Sequence, residues 1–243
     1  MRFVPTPFSP LLANIALDGI EKLLSPDQKI KVYEYFDSKK GKYRKCRKKS
    51  DKYGFIRYAD DFLVTAQTQE DIEAIQPILE QWLKERGLEL NRDKTHTVQI
   101  EQGFNYLGFN IRQFQGKCLP RPEKDQVKSL LSKIRNWLKK HPSDKPEAVI
   151  NFLNPILRGW ANYYKYGVSK KVFSSIDHYL WKALWQWSKR RHPNKGKKWI
   201  FKKYFKSVNG YNYTFATTTQ DRRGQEKIIS IVRIPTIPIE RWE

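Results

Sequence analysis

The spacing of apolar residues changes once along this chain, near Pro120-Arg121-Pro122, and that change governs what the chain can fold into. Before it, short aromatic and β-branched runs alternate with turn residues. After it, Val127, Leu130, Leu131, Ile134, Trp137 and Leu138 recur at the spacing of one helix face. Strands require a period of two and helices one of 3.6, so the two stretches cannot adopt the same secondary structure. The chain is read as α+β, with a mixed first part and an all-α second part.

In the first part, Ser9-Pro10 can cap and open a helix whose apolar side is Leu11, Leu12, Ile15, Ile20 and Leu23. Residues 39–53 carry nine Lys or Arg against one acid, Asp51, which is either a solvated loop or a phosphate-binding arm. Phe55 to Thr65 predicts two short strands around a tight turn at Asp60-Asp61. Thr68 and Asp71 then open a helix carrying Ile72, Ile75, Leu79, Trp82 and Leu83 and ended by Gly87. Pro77 inside it predicts a kink or a shortened first turn. Two further strands are expected at about 94–100 and 104–113.

In the second part, a loop at His141-Pro142-Ser143 leads to another helix, and Asn154-Pro155 reads as a fresh helix start. A long helix is expected from Ser169 to Arg190. Tyr211–Thr217 and Lys227–Arg233 are short β-like runs in a basic tail.

Charge narrows the function. Lys and Arg number 47 against 25 Asp and Glu, a formal charge of +22 with a pI near 9.9. Such an excess repels itself in the folded state, and a polyanionic partner relieves it. From Lys182 to Lys206 there are ten cations and no acid, interleaved with Trp181, Trp185, Trp187, Trp199, Phe201, Tyr204 and Phe205. That mixture suits nucleic acid, with phosphates on the cations and unpaired bases on the rings, although most of the tryptophans are expected to be packing. Two cysteines, Cys46 and Cys118, and four histidines show no metal-ligand or disulfide spacing. No apolar run is long enough to span a bilayer, so a soluble intracellular chain with no membrane partner is expected.

The sharpest chemical feature is Tyr58-Ala59-Asp60-Asp61. Polymerases hold two magnesium ions on carboxylates, and a hairpin turn is a rigid mount for them. Taken alone, Asp-Asp is merely a good turn pair. Downstream, however, stand Gly87-Leu88-Glu89-Leu90-Asn91 with Lys94-Thr95, then Phe104-Asn105-Tyr106-Leu107-Gly108-Phe109. Upstream stands Ser9-Pro10-Leu11-Leu12-Ala13-Asn14-Ile15. In this order they resemble the palm of group II intron reverse transcriptases. Leu153-Asn154-Pro155, Arg158-Gly159-Trp160-Ala161-Asn162-Tyr163-Tyr164 and Ile176-Asp177 to Trp181 resemble the thumb, or domain X, of the maturases in that family.

The resemblance implies a truncated reverse-transcriptase palm over residues 1–118, an all-α thumb or maturase domain over 119–206, and a basic tail over 207–243. It implies Asp60 and Asp61 as catalytic, metal-binding carboxylates for Mg²⁺ if the polymerase is active. With the charge pattern, it points to Lys94, Arg158, Tyr163, Lys189, Arg190, Arg191, Lys197, Lys198, Lys202 and Lys203 as nucleic-acid contacts. The implied partners are group II intron RNA, a DNA target or primer, and a second copy or a complementing N-terminal fragment. The implied setting is a cytoplasmic or organellar ribonucleoprotein.

The chain also departs from the family. A third metal-binding aspartate and the fingers lie upstream in relatives, whereas here Met1 stands a few residues before the Ser9 helix. The family's Thr-Pro-Gln-Gly-Gly loop is replaced by Thr6-Pro7-Phe8, and without the Cys/His-rich nuclease segment that some relatives carry, DNA cleavage is not expected. Three readings stay open: an RNA-binding maturase with polymerase activity lost, a polymerase completed by a separate chain, and a functionless remnant.

Overall fold

The computed structural model describes residues 9–24, 29–37, 41–50, 52–220 and 224–240, with the backbone alone over 9–10, 29–37 and 44–50. The Thr6-Pro7-Phe8 departure and Lys39, Lys40 and Asp51 of the basic run lie outside the described residues. The chain divides into two compact units, Met1–Thr97 and Val98–Glu243.

The first unit opens with helices α1 (Ser9–Ala16) and α2 (Ile20–Leu24). Strands β1 (Lys29–Asp37) and β2 (Lys42–Ser50) form an antiparallel hairpin, so the basic run expected as a loop or arm is one strand of a two-stranded sheet. A second hairpin pairs β3 (Gly54–Tyr58) with β4 (Asp61–Thr65), as expected, and α3 (Gln69–Lys84) follows. The Thr68 hydroxyl accepts from the Asp71 amide at 3.2 Å, the expected cap. Helix α3 continues through Pro77 to its end, where the Leu88 amide donates to the Leu83 carbonyl.

The core of this unit gathers Ile20, Leu24, Tyr53, Ile75 and Leu79, with Phe55, Phe62 and Trp82 against it. One expectation holds only in part. Of the apolar side expected for the first helix, Leu11, Leu12 and Ile15 are exposed, whereas Ile20 is buried and Leu23 packs against the core, with Leu17 and Leu24 also buried. The two helices break at Gly19, and the short α1 presents a different side from the one a single continuous helix would bury. The strand expected at 94–100 is also absent; residues 92–94 form a turn and 95–99 run without a ladder partner.

The second unit begins with a hairpin of β5 (Phe104–Tyr106) and β6 (Phe109–Ile111). A small ribbon of β7 (Gln113–Phe114) and β8 (Lys117–Cys118) and the strand β9 (Arg121–Pro122), which pairs with β6, come next. Helices α4 (Lys124–Lys140), α5 (Pro146–Tyr164), α6 (Lys170–Arg191) and α7 (Lys197–Tyr204) follow. The long helix falls where it is expected. Asn154-Pro155, by contrast, lies inside α5 and starts nothing. The Asn154 amide is engaged elsewhere: its Nδ2 donates to the Ser230 carbonyl at 2.9 Å and its Oδ1 accepts from the Val232 amide at 2.8 Å.

Those partners belong to the last stretch of chain. Strands β10 (Phe205–Val208), β11 (Tyr211–Gln220) and β12 (Glu226–Ser230) form an antiparallel sheet with β11 in the middle, and a 3-10 turn spans Ile234–Thr236. Phe215, Ala216, Ile231 and Ile234 are buried, and Phe215, Ile231 and Ile234 join the same core as Leu153, Leu157, Phe173, Ile176 and Trp187. The tail is therefore part of the domain, and the unit is mixed rather than all-α.

The boundary between units lies at Thr97/Val98, earlier than the composition change at 118/119. The β5–β6 turn explains it. Leu107 and Gly108 both have positive φ, 48° and 74°. The turn's carbonyls are held from α5: the Tyr163 hydroxyl donates to Leu107 at 2.7 Å and the Tyr164 hydroxyl to Gly108 at 3.2 Å. A Cβ on Gly108 would lie 2.8 Å from the Tyr164 oxygen, so only glycine admits this approach. Burial, with Tyr163 and Glu123 nearby, pushes the Tyr164 phenol up to about 12, which keeps it a donor.

Candidate nucleic-acid interface and carboxylate pair

Strands β3 and β4 pair from Gly54↔Thr65 to Tyr58↔Asp61, which leaves Ala59 and Asp60 as a two-residue turn. Ala59 has φ 54°, a conformation that costs an L residue roughly 1–2 kcal/mol. The base of the turn is tied down through Arg57, whose Nε lies 3.5 Å from Glu21 and whose Nη1 donates to Asn14 at 3.4 Å. Asp60 and Asp61 are both exposed at the end of the hairpin. Among the described residues, no group of three His, Cys, Asp or Glu comes together to hold a metal ion. Two adjacent carboxylates do not fit a two-magnesium centre by themselves.

The cations of the second unit are arranged differently. Along α6, Lys171, Ser175, His178, Lys182, Gln186 and Lys189 follow one another at four- and three-residue steps, with Tyr179 and Arg190 beside them. All are exposed except the half-buried Lys189. From Lys171 to Lys189 this row is about 27 Å long at 1.5 Å per residue. The acid in α6, Asp177, points elsewhere: it pairs with Arg233 at 3.0 Å, and burial holds its carboxyl above the usual range. Among the described residues, Lys171, Lys182, Lys189 and Arg190 form no ion pair, and neither do Lys197, Lys198, Lys202 and Lys203 of α7. Burial first, and then the cations Lys203, Arg191 and Lys195, push the His192 imidazole below its ordinary value.

The rings that accompany these cations in sequence mostly face inward. Trp187 is 1% exposed, Trp181 and Trp185 stack at 6.0 Å, and Phe201 and Phe205 stack at 5.5 Å. Trp199 is 40% exposed, but Lys203 lies over its ring at 4.7 Å and Lys195 at 5.5 Å. Most of the tryptophans of this segment are therefore packing, as expected, and the cations are its outward-facing part.

Two expected contacts are committed within the protein. The Arg191 guanidinium donates to the Asp144 carbonyl and lies over Trp187 at 5.3 Å, so it serves the fold rather than a ligand. The Tyr163 hydroxyl is held by Leu107, and its ring packs on Phe109 at 5.4 Å, leaving one face outside. Lys94 sits in an exposed turn of the first unit, where its amide donates to the Asn91 carbonyl at 3.1 Å. Arg158 is exposed on α5. The structure thus groups Lys189, Arg190, Lys197, Lys198, Lys202 and Lys203 on two consecutive helices, and leaves Lys94 and the aspartates in the other unit. Lys171, His178 and Gln186 were missed; their helical spacing was visible, but their exposure was not.

Comparison with known proteins gives two family matches. Residues 6–111 match the reverse transcriptase (RNA-dependent DNA polymerase) family, and residues 127–205 match the group II intron, maturase-specific domain. The chain is also similar to the ribosomal operon-associated A protein of Euglena longa, at 25% identity over 131 residues. That match takes in 53% of this chain and 25% of the relative, so the chain spans about a quarter of that protein's length.

Proposed function

Because the chain belongs to the group II intron reverse transcriptase/maturase family, carrying that family's palm segment and its maturase-specific domain in order, we propose that it binds group II intron RNA and promotes its folding for splicing. The observation that carries this reading is the acid-free cationic row of α6, continued by the lysines of α7. Unpaired cations at this density have no counter-charge within the described residues. A phosphate backbone supplies one, and the release of its counterions drives binding.

The reading sets a concrete expectation. The protein should bind a group II intron transcript more tightly than a scrambled transcript of equal length, with an affinity that falls steeply with salt. Replacing Lys182, Lys189 and Arg190 with Gln should lower the slope of log affinity against log salt by about three, at roughly 0.9 per lost phosphate contact. Equal affinity for both transcripts, or an unchanged slope, would count against the proposal.

A second reading, RNA-directed DNA synthesis, is favoured by the hairpin mount of Asp60 and Asp61. Reverse transcriptases use divalent metal ions, and Asp60 and Asp61 are the carboxylates of this chain that would contribute to holding them once further ligands were supplied. Primer extension by the purified chain tests it. We expect no extension by this chain alone; extension abolished by Asp60→Asn would establish the second reading.

A further inference from the structure

We infer that the open cleft between α5 and β12 receives a phosphodiester strand, with Arg158 on a phosphate and Gly159 left bare for the strand's close approach. This rests on the RNA-binding reading but concerns a different helix and a segment, residues 226–230, that lies beyond the maturase-domain match.

Three observations carry it. First, Arg158 lines two open depressions, one shared with Asn151, Lys227 and Ser230, the other with Asn209, Tyr211 and Thr214. Neither is lined by a carboxylate. Second, among the described residues the side chains of Arg158 and Lys227 have no hydrogen-bond or ion-pair partner, so two cations edge a concave surface of mixed amide, hydroxyl and aliphatic groups with no carboxylate to neutralise them. A guanidinium presents a fork of donors that matches phosphate oxygens. Arg233, also at the second depression, is already neutralised by Asp177.

Third, Gly159 has no internal explanation. It lies inside α5 and is exposed, and a Cβ built on it meets nothing within 4 Å. Gly108 and Gly167 differ: a Cβ there would approach the Tyr164 oxygen at 2.8 Å and the Pro120 carbonyl at 2.7 Å. A glycine in a helix interior is a conformational cost that alanine would remove. Gly159 lines neither depression, but it follows Arg158 and stands one helical turn after Pro155, which lines the first, so its bare backbone leaves room for a strand laid close to the helix beside Arg158.

The test turns on opposite signs in one variant. Gly159→Ala should raise the midpoint of thermal unfolding by about 2–4 °C and yet weaken binding of a group II intron transcript at least about five-fold. Arg158→Gln should weaken it about ten-fold and lower the salt slope by about one, while Arg158→Lys keeps the slope. If wild-type protein binds the transcript and Gly159→Ala binds it equally well, the cleft is not a strand site and the inference is overturned. Displacement of RNA by inorganic phosphate beyond that by chloride at equal ionic strength would assign the cleft to a small anion and overturn it as well. Failure of the wild-type chain to bind any RNA would instead be a failure of the underlying RNA reading.

Discussion

A chain ended after Lys206 should lose the cooperative thermal unfolding of its second unit. The residues removed include Phe215, Ile231 and Ile234, which are 1%, 7% and 0% exposed in the core they share with the helices. Burying side chains of this size contributes about 1.5–3 kcal/mol each, so the three together supply roughly 5–9 kcal/mol. A domain of this size has only about 5–15 kcal/mol in all. The truncation also strips the Ser230 carbonyl and the Val232 amide from Asn154, leaving a part-buried amide without partners inside α5. Circular dichroism during heating would show a broad, early transition. A truncated chain that melted sharply within a few degrees of the full one would mean that the tail is an appendage after all.

Trp187→Ala should destabilise the second unit by about 3–5 kcal/mol, the usual cost of emptying a buried indole site. Trp187 is the point at which four segments meet. Its Nε1 donates to the His141 carbonyl at 2.8 Å in the α4–α5 loop, and its ring meets Tyr204 of α7 at 5.9 Å and Phe215 of β11 at 6.0 Å. The Arg191 guanidinium, itself bound to Asp144 in that loop, lies over it. Trp187→Phe keeps part of the volume and loses the hydrogen bond, so an intermediate loss is expected. Urea midpoints of the three proteins measure this; a loss below about 1 kcal/mol for Trp187→Ala would show that the loop and sheet do not depend on the ring.

Much of the local structure was legible from residues that act on their near neighbours. The Asp60-Asp61 hairpin, the Thr68 cap and the α4 face all rest on turn chemistry or helical period within a dozen residues. The errors fall where a local signal had a distant competitor. Asn154-Pro155 has the residues of a helix start, yet Asn154 hydrogen-bonds chain more than seventy positions away, and the helix passes through it. Leu11, Leu12 and Ile15 have the spacing of a buried side, yet Gly19 divides the helix and of that side only Ile20 and Leu23 reach the core, beside Leu24. The compact units divide at Thr97/Val98, ahead of the composition change, because the β5–β6 hairpin is held by the hydroxyls of Tyr163 and Tyr164.

The candidate site divides in the same way. Charge and helical period are local properties, and from them the sequence determined that a dense block of cations begins on a long helix and runs past its end; that Lys197–Tyr204 forms a further helix came from the structure. Only the tertiary structure decided which of those side chains face outward. Trp181, Trp185 and Trp187 lie beside the cations in sequence but turn toward Phe205, Tyr204 and Phe215, and Arg191 turns toward Asp144. The physical reason is that a ring gains most where other elements exclude water from both its faces. Which elements do so is settled by packing between residues far apart in the chain.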